Sequence, residues 1–322
     1  MHPPARPCRH MRDHGDVTRD VTPQTGRSAS DRPAADPTAP VGPAPARPTR
    51  LIATDLDGTL LRDDKSVSER TIAALAAAEA AGVEVFFVTG RPARWMDVVS
   101  DHVHGHGLAI CGNGAAVVDL HGGPGAHRFV KVRPMERETA LTVVDILRAA
   151  APGTAFAVER TVGIEHELAY PPLMFDAAGT IAPAEKLLAA DADLTDEPVL
   201  KLLAHHPELT PDAFLALART AIGDHASVTR SSPTALLEIA GPGVSKASTL
   251  ALCCAERGIT PAEVVAFGDM PNDVEMLTWA GTSYAMGNAH PDVIAAASGR
   301  TVANNEDGVA VVIEQILAGL EG

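Results

Sequence analysis

A short run, Leu51-Ile52-Ala53-Thr54, leads directly into Asp55-Leu56-Asp57-Gly58-Thr59. Along an extended strand residues i and i+2 point the same way, so the two carboxylates converge where the strand ends, and Gly58 lets the backbone turn there. A chain that begins its folded part this way places an acidic pair at the carboxyl edge of a buried strand. Such a pair can hold a divalent cation, and it can divide nucleophilic attack from proton transfer.

From Thr49 onward strand and helix patterns alternate, which implies an α/β fold, a Rossmann-like parallel sheet with helices on both faces. Ser66-x-x-Glu69 reads as a capping box opening a helix through Ala81, closed by Gly82, and Val83 to Val88 is a continuous apolar strand. Further strands are expected near Leu108 to Cys111, Val264 to Phe267 and Thr282 to Ala285. Thr260-x-x-Glu263 is read as a turn, because the Val264 strand follows too soon for a helix. Asp55, Thr89 and Asp269 then each end a strand, at the sheet edge where open parallel sheets bind ligands.

Spacing locates a second domain. Thr89 follows Asp55 by 34 positions, room for one turn and one helix, whereas 157 positions lead from Thr89 to Lys246. That excess is an inserted domain, expected over residues 132–232, with a catalytic core of 49–131 and 233–322. The insert reads as a helix from Pro134 to Ala150, strands near Thr154 to Glu159 and Val199 to His205, and a helix opened by Thr210-Pro211.

A chain of 322 residues with 46% hydrophobic and only 3% aromatic residues suits about two domains with interiors of Ala, Val, Leu and Ile. The net charge of −15, without a Lys/Arg-rich run, argues against nucleic acid or an anionic membrane as partner. It also repels phosphorylated substrates, so a phosphate site needs local positive charge. Cys8, Cys111, Cys253 and Cys254 show no metal-ligand spacing, Cys253 and Cys254 read as buried small hydrophobes, and a reducing cytoplasm is the expected location. No apolar run approaches the roughly 20 residues that span a bilayer. The first 48 residues hold ten prolines, no lysine and almost no Leu, Ile or Phe, and are expected to be a disordered tail without a secretory or transit signal.

The acidic pair has company: Val88-Thr89-Gly90-Arg91-Pro92, Gly243-Val244-Ser245-Lys246, and Gly268-Asp269-Met270-Pro271-Asn272-Asp273. In order and residue type these resemble the four motifs of the haloacid dehalogenase superfamily, specifically its Cof-type phosphatase branch with a type-two cap, over roughly residues 50 to 318. The resemblance implies a Mg²⁺-dependent phosphomonoester hydrolase acting on a small phosphorylated metabolite: a sugar phosphate, nucleotide or cofactor phosphate. It casts Asp55 as the nucleophile that becomes an aspartyl-phosphate. Asp57 is cast as the acid that protonates the leaving alkoxide and then deprotonates water, with its backbone carbonyl on the metal. Asp269 would ligate Mg²⁺ directly, Asp273 would ligate through water or orient Asn272, and Asn272 would touch the metal shell or the phosphate. Asn288 would brace the Asp269 loop.

Residue chemistry supports several of these roles. A hydroxyl and amides at a strand-to-helix turn make Thr89 and Gly90 an anion site. Arg91 reaches either phosphate or a surface carboxylate. Lys246, early on a helix opened by Ser245, can neutralise both Asp55 and phosphoryl oxygens. Oxygen ligands select Mg²⁺ over zinc.

His102, His104 and His106, and the pair His205-His206, lack partners at ligand spacing and read as solvated; His166 is the one cap histidine placed near substrate. A phosphosugar mutase would share the carboxylate pair, and a receiver-like phospho-acceptor module would share Asp, Thr, Lys and Mg²⁺. In a receiver, however, the phosphorylated aspartate lies on a mid-chain strand and no large cap intervenes.

Overall fold

The computed structural model describes residues 42–43, 45, 47–100, 107–123, 125–171, 179–231 and 234–320. The expected tail through residue 41, Cys8 and the His102, His104 and His106 segment lie outside the described residues.

In chain order the first sheet is laid down by β1 (Leu51–Thr54), β2 (Glu84–Val88), β3 (Leu108–Cys111), β4 (Ala116–Asp119) and β5 (Arg128–Val132). The insert contributes β6 (Ala155–Arg160), β7 (Ile164–His166), β8 (Val199–His205), β9 (Ser227–Thr229) and β10 (Leu236–Ala240). The chain then returns with β11 (Val264–Gly268), β12 (Thr282–Ala285) and β13 (Gly299–Arg300). The first sheet has the order β13-β12-β11-β1-β2-β3-β4-β5 and is parallel through β3, with β4 and β5 antiparallel at one edge. The second is a five-stranded antiparallel sheet, β7-β6-β8-β10-β9.

The central strands are apolar throughout because helices cover both faces. Ile52, Val85, Phe87 and Val265 enter one core with the helices Glu69–Ala80 and Gly308–Leu320. Leu51, Ala53, Phe86, Val88 and Ala266 enter the opposite one with Lys246–Glu256 and Val274–Trp279. From β1 the chain steps to β2 on one side, while β11 lies on the other. The order therefore reverses at β1, and a crevice opens at the carboxyl ends of β1 and β11.

Three local expectations are corrected and one holds. The first helix is capped by Ser68, whose hydroxyl accepts from Thr71 N at 3.1 Å, because Ser66 is held by Asp64 through its own amide and hydroxyl. The inserted helix starts at Arg137 rather than Pro134, since Met135 N donates to Val199 O and draws that segment onto the sheet. Thr260-x-x-Glu263 is the turn expected: its capping bonds close a single 3₁₀ turn, Pro261–Glu263, directly before β11. The inserted sheet runs past Ser232 to Ala240: β10 pairs with β8 and β9, burying Leu237 and Ile239 against the insert's helices and turning Glu238 to the other face.

Candidate active site

Asp55 follows β1 directly, its N–H donating to Phe267 O of β11 at 3.1 Å, which ties the first motif to the strand that delivers Asp269. Gly58, at φ 80°, makes the turn, and a Cβ there would lie 2.2 Å from Asp269 Oδ2. Only glycine lets the two acidic loops close on each other. Thr59 donates its hydroxyl to Asp269 Oδ1 at 3.1 Å.

Lys246 is the first residue of its helix, behind Ser245, whose side chain and that of Ser248 cap each other's amides. Its ammonium is 1% exposed and donates to Asp55 Oδ1 at 2.5 Å and Asp273 Oδ1 at 2.6 Å. Asp273 Oδ2 accepts from the Asp269 and Met270 amides, both at 3.0 Å. Asp273 thus spends both oxygens on protein donors and acts as a buried strut between Lys246 and the Asp269 loop. Asp55, Asp269 and Asp273 present carboxylate oxygens within 4.8 Å of one another.

The cluster has more negative charge than its one lysine neutralises. Burial, reinforced by Asp273 and Asp57 against the pull of Lys246, pushes Asp55 up to about 7. Burial, then Asp55 and Asp273, pushes Asp269 up to about 8. Lys246 is raised despite its burial, by Asp273 and Asp55. Asp55 Oδ2 and Asp269 Oδ2 accept no hydrogen bond from the described residues. Two carboxylate oxygens without a protein donor, on largely buried aspartates facing a charge surplus, suit a hard divalent cation.

Asp57 does not join this cluster through its side chain. Arg91 Nε donates to Oδ2 at 2.5 Å, Arg91 Nη2 to Oδ1 at 2.7 Å, and Lys65 Nζ to Oδ1 at 2.8 Å. Against its partial burial, these bonds hold Asp57 down at about 2. Arg91 therefore pairs with a carboxylate of the first motif, not with a surface acid. Lys65 escaped the sequence reading, although a cation in the loop after an acidic motif was the available signal.

Thr89 is buried after β2, and its hydroxyl oxygen accepts the Arg91 amide at 3.1 Å, leaving its hydrogen to donate. Asn272 lies across the crevice, its amide nitrogen 3.0 Å from Asn113 Oδ1. Asn288 braces Gly58 O at 2.8 Å rather than the Asp269 loop, whose carbonyl accepts instead from His290 N. His166 sits on β7, bonded to Glu167 O, and His206 is buried rather than solvated, its Nδ1 accepting the Glu208 and Leu209 amides. Cys253 and Cys254 are buried free thiols, as expected, and so is Cys111.

A cavity of about 720 Å³ runs from Lys246 and Asn272 past Asn113 to Lys201, Glu238 and the β9 edge. Lys201 and Glu238, both on the inserted sheet, are an ion pair that the sequence reading missed.

This geometry can be set against known proteins. Residues 52–313 match the family of haloacid dehalogenase-like hydrolases. The chain belongs to that family. The pyridoxal phosphate phosphatase YbhA of Escherichia coli is 31% identical over 82% of this chain and 97% of its own. The 5-amino-6-(5-phospho-D-ribitylamino)uracil phosphatase YbjI of the same species is 31% identical over 83% and 96%. A solved haloacid dehalogenase-like hydrolase from Bacteroides thetaiotaomicron superposes with a TM-score of 0.64 at 26% identity, covering 83% of this chain and 99% of that one. As a haloacid dehalogenase-family enzyme the protein is a phosphatase. Among the described residues no helix is long and apolar enough to cross a membrane.

Proposed function

We propose that the protein hydrolyses the phosphomonoester of a small metabolite through an aspartyl-phosphate on Asp55, with Mg²⁺ as cofactor. The observation that carries this reading is Lys246 bridging Asp55 and Asp273 beside Asp269 in one buried cluster. The named relatives act on small compounds bearing a single phosphate ester, which supports the same substrate class here. Asp55, Asp269 and the Asp57 carbonyl would hold the ion, with Asp273 positioning them. Bound there, Mg²⁺ supplies positive charge that lessens repulsion between the Asp55 carboxylate and a phosphate dianion.

Thr89 and the Gly90 amide orient the phosphoryl oxygens, and Lys246 offsets their charge while holding the Asp55 carboxylate, which attacks phosphorus. The P–O bond to the leaving group breaks, and its alkoxide takes a proton from Asp57. Water, deprotonated by Asp57, then attacks phosphorus, releasing phosphate and restoring Asp55. Because Arg91 and Lys65 hold Asp57 ionised, Asp57 becomes an acid only after the incoming phosphate draws Arg91 away and the freed carboxylate takes up a proton from solvent, the proton it gives to the alkoxide being replaced by the one it takes from water in the second step.

Assaying phosphate release from a panel of phosphorylated metabolites, with Mg²⁺ or with chelator, tests the reading. Wild-type turnover that requires Mg²⁺ and is lost in Asp55→Asn is expected. Turnover by Asp55→Asn at the wild-type rate would refute the covalent route.

A further inference from the structure

Three side chains form a chain across the boundary between the inserted sheet and the catalytic core. Glu238, on β10, is buried; its Oε1 accepts from Ser231 Oγ and its Oε2 from Lys201 Nζ, which also donates to Gly90 O at 2.7 Å. Asn113, buried between β3 and β4, donates Nδ2 to Glu238 Oε2 at 2.8 Å. Asn272 Nδ2 in turn donates to Asn113 Oδ1 at 3.0 Å.

The order of donors and acceptors here is forced. With an ammonium and a hydroxyl already donating to it, Glu238 can only accept, so Asn113 must turn its NH₂ toward the insert and its oxygen toward the core. That oxygen must receive a donor, so Asn272 turns its NH₂ to Asn113. The remaining face of Asn272 is fixed as well: its Oδ1 is buried without a partner, in the residue before Asp273 and at the wall of the cavity. A buried acceptor left unmade is costly, and it is kept where a functional group will use it. Asn113 holds its place at φ 55°, a conformation Asn tolerates better than most residues and one that costs free energy.

We propose that Glu238 is a positioning residue: acting through Asn113, it fixes which amide atom Asn272 presents to the phosphoryl-transfer site, so that the seated insert sets the polarity of the core. This role presupposes the phosphatase reading of the site. It assigns Asn272 Oδ1 to a hydrogen-bond donor, such as a hydroxyl of the leaving group or a water, and leaves the second Nδ2 hydrogen for a phosphoryl oxygen.

The test is a set of variants of the full chain assayed with p-nitrophenyl phosphate. Asn113→Asp keeps shape and the φ preference but cannot donate to Glu238; kcat/KM should fall about tenfold, the effect of one misdirected polar contact at a reacting centre. Adding Glu238→Gln removes the repulsion between the two facing carboxylates and supplies an amide donor to the new one, which also takes over the Lys201 ammonium, and should recover most of the loss. Asn113→Gly, which suits φ 55° and adds no charge, should fall as Asn113→Asp does and serves if that variant folds poorly. In an Asn272→Ala background, Asn113→Gly should change kcat/KM less than about twofold, because coupled residues are not additive. An equal loss with and without Asn272, or no rescue by Glu238→Gln, would overturn the relay. An inactive wild-type protein would instead sink the phosphatase reading, and the relay with it.

Discussion

Binding of Mg²⁺ should expel protons, and the amount follows from the buried cluster. Asp55 and Asp269 face Lys246, Asp273 and Asp57, and with no ion bound they titrate near 7 and 8 rather than at the ordinary 3.8. At pH 7 the pair then holds between one and two protons that the ion must displace, whereas at pH 9 both carboxylates are already ionised. Apparent affinity should tighten by roughly a hundredfold or more between pH 6 and 8. The same groups act on metal-free stability with the opposite sense. Their folded pKa is raised, so their contribution is fully present below about pH 4 and lost as pH rises through 7 to 8, by up to about 1.4 kcal/mol per pH unit per proton. Mg²⁺ should therefore raise the melting temperature more at pH 8 than at pH 6. Titration calorimetry at pH 7 in two buffers of different ionisation enthalpy counts the protons. Release below about 0.3 proton per site, with affinity flat from pH 6 to 9, would show that these carboxylates are ionised without the metal and that burial does not dominate them.

Lys246→Met removes the only cation among the described residues that touches Asp55 and Asp273, and should cost about 10³-fold in kcat and about 3 kcal/mol in denaturant-monitored stability at pH 8. Asp57→Asn should slow alkyl phosphates far more than p-nitrophenyl phosphate, because only a poor leaving group needs the proton; equal losses would remove Asp57 as the acid. Removing residues 1–41 should leave the melting temperature within about two degrees of wild type, given their lack of apolar residues. Cutting on to Pro48 should lower it further, since Tyr284 donates its hydroxyl to Pro43 O and Gly42 packs on Gly299.

The core was legible because its signals are local. β3, β8 and β12 fall on the segments expected from sequence, β3 as an apolar run and β8 as one interrupted by Lys201. Misplaced boundaries share one cause: a neighbouring group outside the local pattern took the hydrogen bond. Asp64 claimed Ser66, which moved the first cap to Ser68, and Val199 claimed Met135, which delayed the inserted helix to Arg137. β10 went unassigned because Glu238 breaks its apolar run, and burial of that glutamate makes sense only once Lys201 is placed beside it. No window of sequence joins residues 37 positions apart.

Site residues divide in the same way. Asp55, Thr89, Lys246 and Asp269 each sit at the end of a strand or the start of a helix, where backbone geometry alone aims them, so motif order sufficed to find them. The partners of Asp57 and Asn272 are set by tertiary approach: Arg91 and Lys65 reach across two loops to one carboxylate, and Glu238 reaches Asn272 only through Asn113. The consequence is chemical. On the proposed mechanism, phosphoryl attack would depend on groups fixed within the core sheet, while the protonation state of Asp57 and the orientation of the Asn272 amide would depend on contacts that substrate arrival or movement of the insert can change. Substrate discrimination should accordingly enter through Asp57 and Asn272, and the Asp55–Lys246–Asp273 cluster should remain the same for every ester the enzyme accepts.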